Sequence, residues 1–308
     1  MILKHNVSLQ ELSWVKSNKK AFELANSCVK NVYYPESVAE LKHLVLDLGK
    51  SSTKYLLLGY SSNTLFLPSY NIDDIIVTKK INNWSETKDS IICDCGVNVS
   101  KLSKSMIEKG YRGFEGLTDL PGTVGAAVYG NCGCRGCSIN SIVKRIVYLA
   151  NDGKIVYLTP KDLHLSYRSS SLKRGELCGT ILSVELFKYF DDADHLKRIA
   201  VANHQIRKIQ QPSGKNNLGT TFIGGGTMTY KGYVFFFLHK VLMRFLKDSK
   251  KSYLLLLKLL GHGKFTPYLW NWNRYMFLDE KSHLLFPEYI SFLRSIYKDV
   301  RLEIEIRK

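Results

Sequence analysis

The chain has 308 residues, enough for about two domains at roughly 100–200 residues each and for a sizeable buried core. Hydrophobic residues make up 45% and charged residues 23%, with 22 glycines and 7 prolines, which excludes disordered, collagen-like and disulfide-scaffold classes. Lysine and arginine outnumber aspartate and glutamate by 44 to 27, a formal charge of +17 that points to anionic partners: phosphates, nucleotides, nucleic acid or a membrane surface.

The first 14 residues, MILKHNVSLQELSW, carry polar and charged groups where a secretory apolar run would lie, and the seven cysteines are an odd number. Both point to a reducing, cytoplasmic setting. Pro35-Glu36-Ser37 followed by VAELKHLVLDLG predicts a helix capped by Ser37, with Val38, Leu41, Leu44 and Leu48 on one face. KYLLLG at 54–59, then polar SSN and TLFL, reads as strand, tight turn, strand. Residues 73–78 and 91–93 read as buried strands, and 97–110 as a helix stopped by Gly110. From 142 to 188 the pattern predicts antiparallel strands, the first pair turned by Asp152-Gly153. Helix and strand mix without a βαβ rhythm, so the expected class is α+β.

HLKRIAVANHQIRKIQQ is a basic helix and PSGKNNLG after it is turn-rich, which places a domain boundary near 195: a first domain over 1–195 and a smaller one over 196–308. The apolar runs at 233–246 and 253–260 are broken by His239, Lys240, Arg244 and the 247–251 cluster. They fall short of the roughly 18 uninterrupted apolar residues of a spanning helix and are expected to be buried or amphipathic helices. RLEIEIRK at the end alternates Leu302, Ile304 and Ile306 against Glu303, Glu305 and Arg307, the pattern of a half-buried strand with both glutamates on one face.

The densest motif is GFEGLTDLPGTVGAAVYGNCGCRG at 113–136, where small residues leave backbone amides open to a pyrophosphate. It is neither a P-loop, having no Gly-Lys-Ser/Thr, nor a GxGxxG turn. Cys132, Cys134 and Cys137 supply three thiols with no matching His or Cys pair nearby, so no metal site is expected. His164 and His204 read as structural.

Several motifs, in order, resemble the UDP-N-acetylenolpyruvoylglucosamine reductases, FAD-dependent enzymes also called UDP-N-acetylmuramate dehydrogenases. LGYSSNTLF (58–66) is similar to the family's Leu-Gly-x-Gly-Ser-Asn-x-Leu loop, and 113–136 to its Gly-Leu-Glu-x-Leu-x-Gly-Ile-Pro-Gly-Thr-Val-Gly-Gly-Ala stretch with the later Asn-Ala-Gly-Ala-Tyr-Gly. LSYRSSSLK (165–173) resembles Phe-x-Tyr-Arg-x-Ser-x-Phe-Lys, QQPSGKNNLGTTF the Gln-Pro leading to Ala-Gly-Ser-x-Phe, and LEIEI (302–306) the terminal Leu-Glu-x-Glu-Val. The likeness covers about residues 33–222; 223–300 match poorly.

The resemblance implies a two-part FAD-binding domain of the PCMH (vanillyl-alcohol-oxidase) type and a smaller α/β substrate domain. It places FAD on Gly59, Tyr60, Ser61, Ser62, Asn63, Thr64 and Leu65, and on Pro121, Gly122, Thr123, Gly125 and Ala126, with Asn131, Gly133 and Gly136 alongside. It implies NADPH as reductant, a nucleotide-sugar substrate whose enolpyruvyl ether is reduced, a place in peptidoglycan precursor synthesis, and a cytoplasmic monomer with neither a nucleic-acid partner nor a membrane span. Three residues correspond to the chemistry: Arg168 to the arginine that stabilises the enolate, Glu305 to the catalytic glutamate, and Thr220 to the serine that donates the closing proton, with Tyr167 beside the substrate. The departures are equally definite. Ile223-Gly224-Gly225 stand where the family shows Lys-Asn-Pro, and LLGHGK (259–264) only echoes its Gly-Leu-Lys-Gly. Two further readings therefore remain open, a diverged flavoprotein acting on another nucleotide sugar in surface polysaccharide synthesis, and a non-catalytic flavin-binding protein.

Overall fold

The computed structural model describes residues 1–14, 25–211, 217–270 and 285–307; most of the turn-rich stretch after the basic helix, 212–216, lies outside them. The chain divides into two compact units, the first Met1–Ser8, Cys28–Ser62 and Asn71–Ile206, the second Leu9–Ser27, Asn63–Tyr70 and Arg207–Lys308. The expected cut at 195/196 thus falls inside the helix Ala193–Gln210. Two early segments also join the second unit; one of them carries strand Thr64–Phe66, which pairs in parallel with Glu305–Arg307, 241 residues later. Composition carries no mark of such a pairing.

The first unit holds two larger sheets and the two-stranded hairpin Gly133–Cys134/Cys137–Ser138. In the four-stranded one, Ile2–Ser8 pairs antiparallel with Cys28–Tyr34, which runs parallel to Asp74–Val77, itself parallel to Tyr55–Leu58. The second is five-stranded and antiparallel, in the order Ile155–Leu158, Val143–Ala150, Gly179–Phe187, Ser90–Asp94, Trp84–Glu86. Gly153, at φ +83°, turns the hairpin between Ala150 and Ile155 as its Asp-Gly signal predicts. Helix Val38–Lys50 starts at Ser37, whose hydroxyl accepts from Glu40 N at 3.1 Å, and buries Leu41, Leu44, Val45 and Leu48. One apolar core joins this helix to Ile76, Ile91, Ile146, Val184 and Leu186 of the sheets and to helices Val99–Glu108 and Val124–Tyr129.

In the second unit three helices, Tyr230–Leu246, Ser249–Leu259 and Phe286–Ile296, enclose an aromatic core. Tyr289 is fully buried, with ring centroids 4.9 Å from Phe265 and 5.5 Å from Phe222. Gly232 lets two helices meet, since a Cβ there would lie 2.1 Å from Ile296 O. The expected C-terminal strand is interrupted: Arg301–Leu302 pairs with Phe222–Ile223, residues 303–304 bend, and Glu305–Arg307 pairs with Thr64–Phe66. Two partners cannot be served by one straight strand, so the alternation that put both glutamates on one face does not persist across the bend. Among the described residues no helix is long and apolar enough to cross a membrane.

Candidate functional site

Within the first unit the loops at 59–62 and 121–126 meet, in each contact the backbone of one against a side chain of the other. A Cβ on Gly59 would lie 2.6 Å from Thr123 Oγ1 and 2.9 Å from its Cγ2, so only glycine permits the approach. Ser62 Oγ donates to Pro121 O at 2.7 Å. Ser61, nearly buried, takes φ +52° and turns its hydroxyl back to Tyr60 O at 2.7 Å. Gly122, at φ +150°, accepts from Val99 N at 3.1 Å, while Val124 N and Gly125 N donate to Val97 O and Cys95 O, each at 2.8 Å. Thr123 caps the short helix by accepting from Ala126 N at 3.3 Å. Gly125 is backed onto Cys95, whose Cβ and O would both be 3.0 Å from a side chain there; burial pushes the Cys95 thiol up to about 12, so it stays protonated.

Asn98 is a member of this scaffold that motif reading passed over. It bridges to Thr123, and its Oδ1 accepts from Lys101 N at 2.8 Å at the head of helix Val99–Glu108. The signal was there, an asparagine directly before a periodic apolar run. Beside the first loop a cavity of about 490 Å³ is lined by Tyr60, Trp84, Asn98, Ser100, Lys101 and Lys104. Lys101 Nζ stands 5.7 Å from the Trp84 ring centroid, so this cavity offers an aromatic face and two cations.

A second cluster follows the short helix. Asn131, buried at φ +43°, donates from Nδ2 to Ser166 O at 2.7 Å, and its buried Oδ1 has no protein partner. Ser166 and Ser169 exchange two backbone bonds of 3.0 Å, which sets Tyr167-Arg168 at the tip of a tight turn. Arg168, at φ +55°, donates from Nη2 to Gly133 O at 2.6 Å and places its guanidinium carbon 5.2 Å from the Tyr167 ring centroid. Ser170 Oγ donates to Tyr129 O at 2.6 Å and anchors the turn from behind. Gly136, at φ +79°, has nothing within 4 Å of where a Cβ would stand; the turn between Cys134 and Cys137 requires it, not a close neighbour.

The remaining expected residues lie in the second unit. Asn63 O accepts from Glu305 N at 2.8 Å, and Asn63 Nδ2 donates to Glu303 O at 3.1 Å, so this side chain fixes the bend at 303–304. Thr64 and Leu65 are buried, Leu65 in the aromatic core. Glu305 keeps a partly accessible carboxylate, 3.7 Å from Arg307 Nη2. Thr220 precedes the buried Thr221, whose carbonyl accepts from Glu303 N at 2.9 Å. Among the described residues no group of three His, Cys, Asp or Glu is placed to hold a metal ion.

Comparison with known proteins bears on these loops. Residues 29–159 match the FAD binding domain family. The UDP-N-acetylenolpyruvoylglucosamine reductase of Bacillus pumilus is 27% identical over 190 residues, 61% of this chain and 62% of its own length; that of Clostridium tetani is 27% identical over 219 residues, 70% of this chain and 69% of its own. The chain is similar to the UDP-N-acetylenolpyruvoylglucosamine reductases over about three fifths of its length. It spans about 62% of the length of the Bacillus pumilus reductase. The crystal structure of the Thermus caldophilus reductase superposes over all of both chains with a TM-score of 0.67 at 17% identity, which establishes the shared fold, α+β with an FAD-binding domain of the expected type. The residues present suit a flavin dinucleotide: tight small-residue loops, a cationic cavity beside the first of them, and an unsatisfied buried amide oxygen at Asn131 that matches an imide N–H.

Proposed function

We propose that this chain is an FAD-dependent reductase of UDP-N-acetylenolpyruvoylglucosamine, using NADPH and acting as a cytoplasmic monomer. The observation that carries the proposal is the junction of the two flavin loops at Gly59–Thr123 and Ser62–Pro121. Bound FAD supplies hydride transfer from the nicotinamide to the enolpyruvyl carbon; the chain's own residues bind, orient and handle charge and proton. Gly59, Tyr60, Ser61 and Ser62 together with Pro121, Gly122, Thr123, Gly125 and Ala126 hold the cofactor, and Lys101 and Lys104 add positive charge for its phosphates. Asn63, Thr64 and Leu65 complete the first family segment, and Asn131 and Gly133 the second.

Arg168 is the group for the developing enolate. Its guanidinium is permanently charged and planar, the form that suits a carboxylate or enolate, and its bond to Gly133 O holds it on the hairpin. Thr220 donates the closing proton and Glu305 acts as the catalytic carboxylate. Tyr167, 65% exposed, offers its ring to the substrate.

One observation favours a second reading, reduction of another nucleotide sugar. At the end of Ile223-Gly224-Gly225, which stand where the family has Lys-Asn-Pro, and in the two residues after it, the amides of Gly225, Gly226 and Thr227 donate to the Asp299 carboxylate at 3.0, 3.2 and 3.3 Å. Desolvation opposes ionisation of Asp299, but these amides outweigh it and hold its carboxyl below the usual range. The loop is spent on its own chain and brings no lysine to a ligand.

The test is the visible spectrum of the purified protein under anaerobic NADPH, before and after the enolpyruvyl sugar. The expected result is a flavin band that bleaches and then returns, with Arg168→Ala slowing the return about 10²–10³-fold while NADPH bleaching persists. A band that bleaches and does not return with this sugar selects the second reading. A protein that takes up no FAD overturns both.

A further inference from the structure

Three cysteines in the glycine-rich stretch play no part in the proposed reaction, and two of them form a pair. Cys134 and Cys137 are direct partners in the two-residue-loop hairpin Gly133–Cys134/Cys137–Ser138, closed by Arg135 at φ +54° and Gly136 at φ +79°. Positive φ at both loop positions is the type I′ geometry that holds flanking strands in register. Residues directly opposite in an antiparallel pair have Cα atoms about 4.5–5.5 Å apart and side chains on one face. That separation lies inside the roughly 4.4–6.8 Å window of a disulfide. Gly116 lies against the hairpin, since a Cβ there would stand 2.0 Å from Cys134 O and 2.9 Å from Cys137 Cβ, so the strands cannot splay to that side.

We infer that Cys134 and Cys137 form a redox-active dithiol that closes to an intrachain disulfide by exchange with a low-molecular-weight disulfide. Both thiols are free and half-buried, and the turn between them is exposed. Cys137 Sγ donates to Glu115 Oε2 at 3.3 Å, and the Glu115 carboxylate is itself buried and fixed by Gly113 N at 2.9 and 3.0 Å. Burial, with that neighbouring carboxylate, pushes the Cys137 thiol up to about 11, so Cys137 is the second sulfur to react. Cys134 thiolate attacks one sulfur of RS–SR, forming the Cys134 mixed disulfide and releasing RS⁻. Cys137 then gives its proton to the released RS⁻ and attacks Cys134 Sγ, displacing the second RS⁻. The two protons end on two RSH, and the two electrons lost by the cysteine sulfurs reduce the incoming disulfide.

The consequence falls on Arg168, whose Nη2 is bonded to Gly133 O, one residue before Cys134. Closing the disulfide stiffens the hairpin that supplies this acceptor. That consequence rests on the role proposed for Arg168 above; the disulfide itself does not.

The experiment equilibrates the full chain anaerobically with reduced and oxidised glutathione, blocks remaining thiols with an alkylating agent, and digests with trypsin without reduction. Cleavage after Arg112, Arg135 and Lys144 separates Cys137 from Cys132 and Cys134, so the disulfide joins peptide 113–135 to peptide 136–144. The expected product is that joined species, two hydrogens lighter than its parts, rising from absent to dominant as oxidised glutathione replaces reduced. It persists in Cys132→Ser and disappears in Cys134→Ser and Cys137→Ser. Alkylation of both thiols across the whole range, a glutathione adduct that stays on a single cysteine, or a joined species that survives Cys134→Ser each overturns the inference. No readout depends on turnover, so a failed dithiol and a failed reductase assignment remain distinguishable.

Discussion

The two units reach stability by different means. In the first, an apolar core is shared between two sheets and four helices, and its site loops are held by backbone hydrogen bonds and close approaches at Gly59 and Gly125. In the second, the sheet pairs are two or three residues long and a cluster of aromatic rings around Tyr289 provides the centre. Its helix Tyr230–Leu246 buries only Gly232, Phe235 and His239, while Tyr230, Tyr233, Phe237 and Phe245 stay exposed. The contrast teaches that a loop fixed by main-chain geometry keeps a readable motif, whereas an aromatic core accepts many sequences of similar volume.

The comparison is broken most sharply at Tyr289. Tyr289→Ala is expected to cost about 3–5 kcal/mol, because the ring is fully buried among Phe222, Phe265 and Phe292; urea denaturation measures it, and a loss below 1 kcal/mol would show that the aromatic cluster is not the centre of its unit.

A middle effect sits in the first unit's antiparallel sheet. Glu185 is 11% exposed and receives Lys144 Nζ at 2.9 Å, Arg145 Nε at 2.5 Å and Ser90 Oγ at 2.7 Å. Desolvation opposes its ionisation, but these partners overcome it and hold the carboxyl at about 2. A folded value below the unfolded one, about 4.3, stabilises the fold above that pH and is lost as pH falls towards 2. Glu185→Gln should therefore cost about 1–3 kcal/mol at pH 7, with the gap to the parent narrowing in thermal melts between about pH 4.5 and 2. A gap independent of pH over that range removes the charge from the explanation.

The smallest effect is the most local. Ser62→Ala deletes the bond to Pro121 O and should weaken FAD retention by about 1 kcal/mol, or roughly fivefold. Flavin fluorescence during dialysis reads it, and unchanged retention would mean that Gly59–Thr123 alone joins the loops.

Much of the fold was legible in residues whose reasons are local. Ser37, Gly110 and Asp152-Gly153 mark the ends of elements because a cap, a left-handed residue and a hairpin turn each need particular side chains. Asn98 was equally legible and was passed over, since a cap is easily taken for an ordinary polar residue until Thr123 is seen bridged to it. Strand Ile2–Ser8 has few buried residues and hence little apolar rhythm, so nothing in its sequence announced it.

What the sequence determined by itself was the capped and turn-bounded elements and the two small-residue loops proposed to hold FAD, because tight turns and close backbone approach demand glycine, serine, asparagine and threonine at fixed places. Only the tertiary structure decided that 63–70 leaves its neighbours for the second unit, that the final strand breaks to serve two partners, and that Arg168 is held on Gly133 O. Each of these joins residues 35 to 241 positions apart, where the free energy comes from a contact between distant segments and no local pattern has to change to allow it.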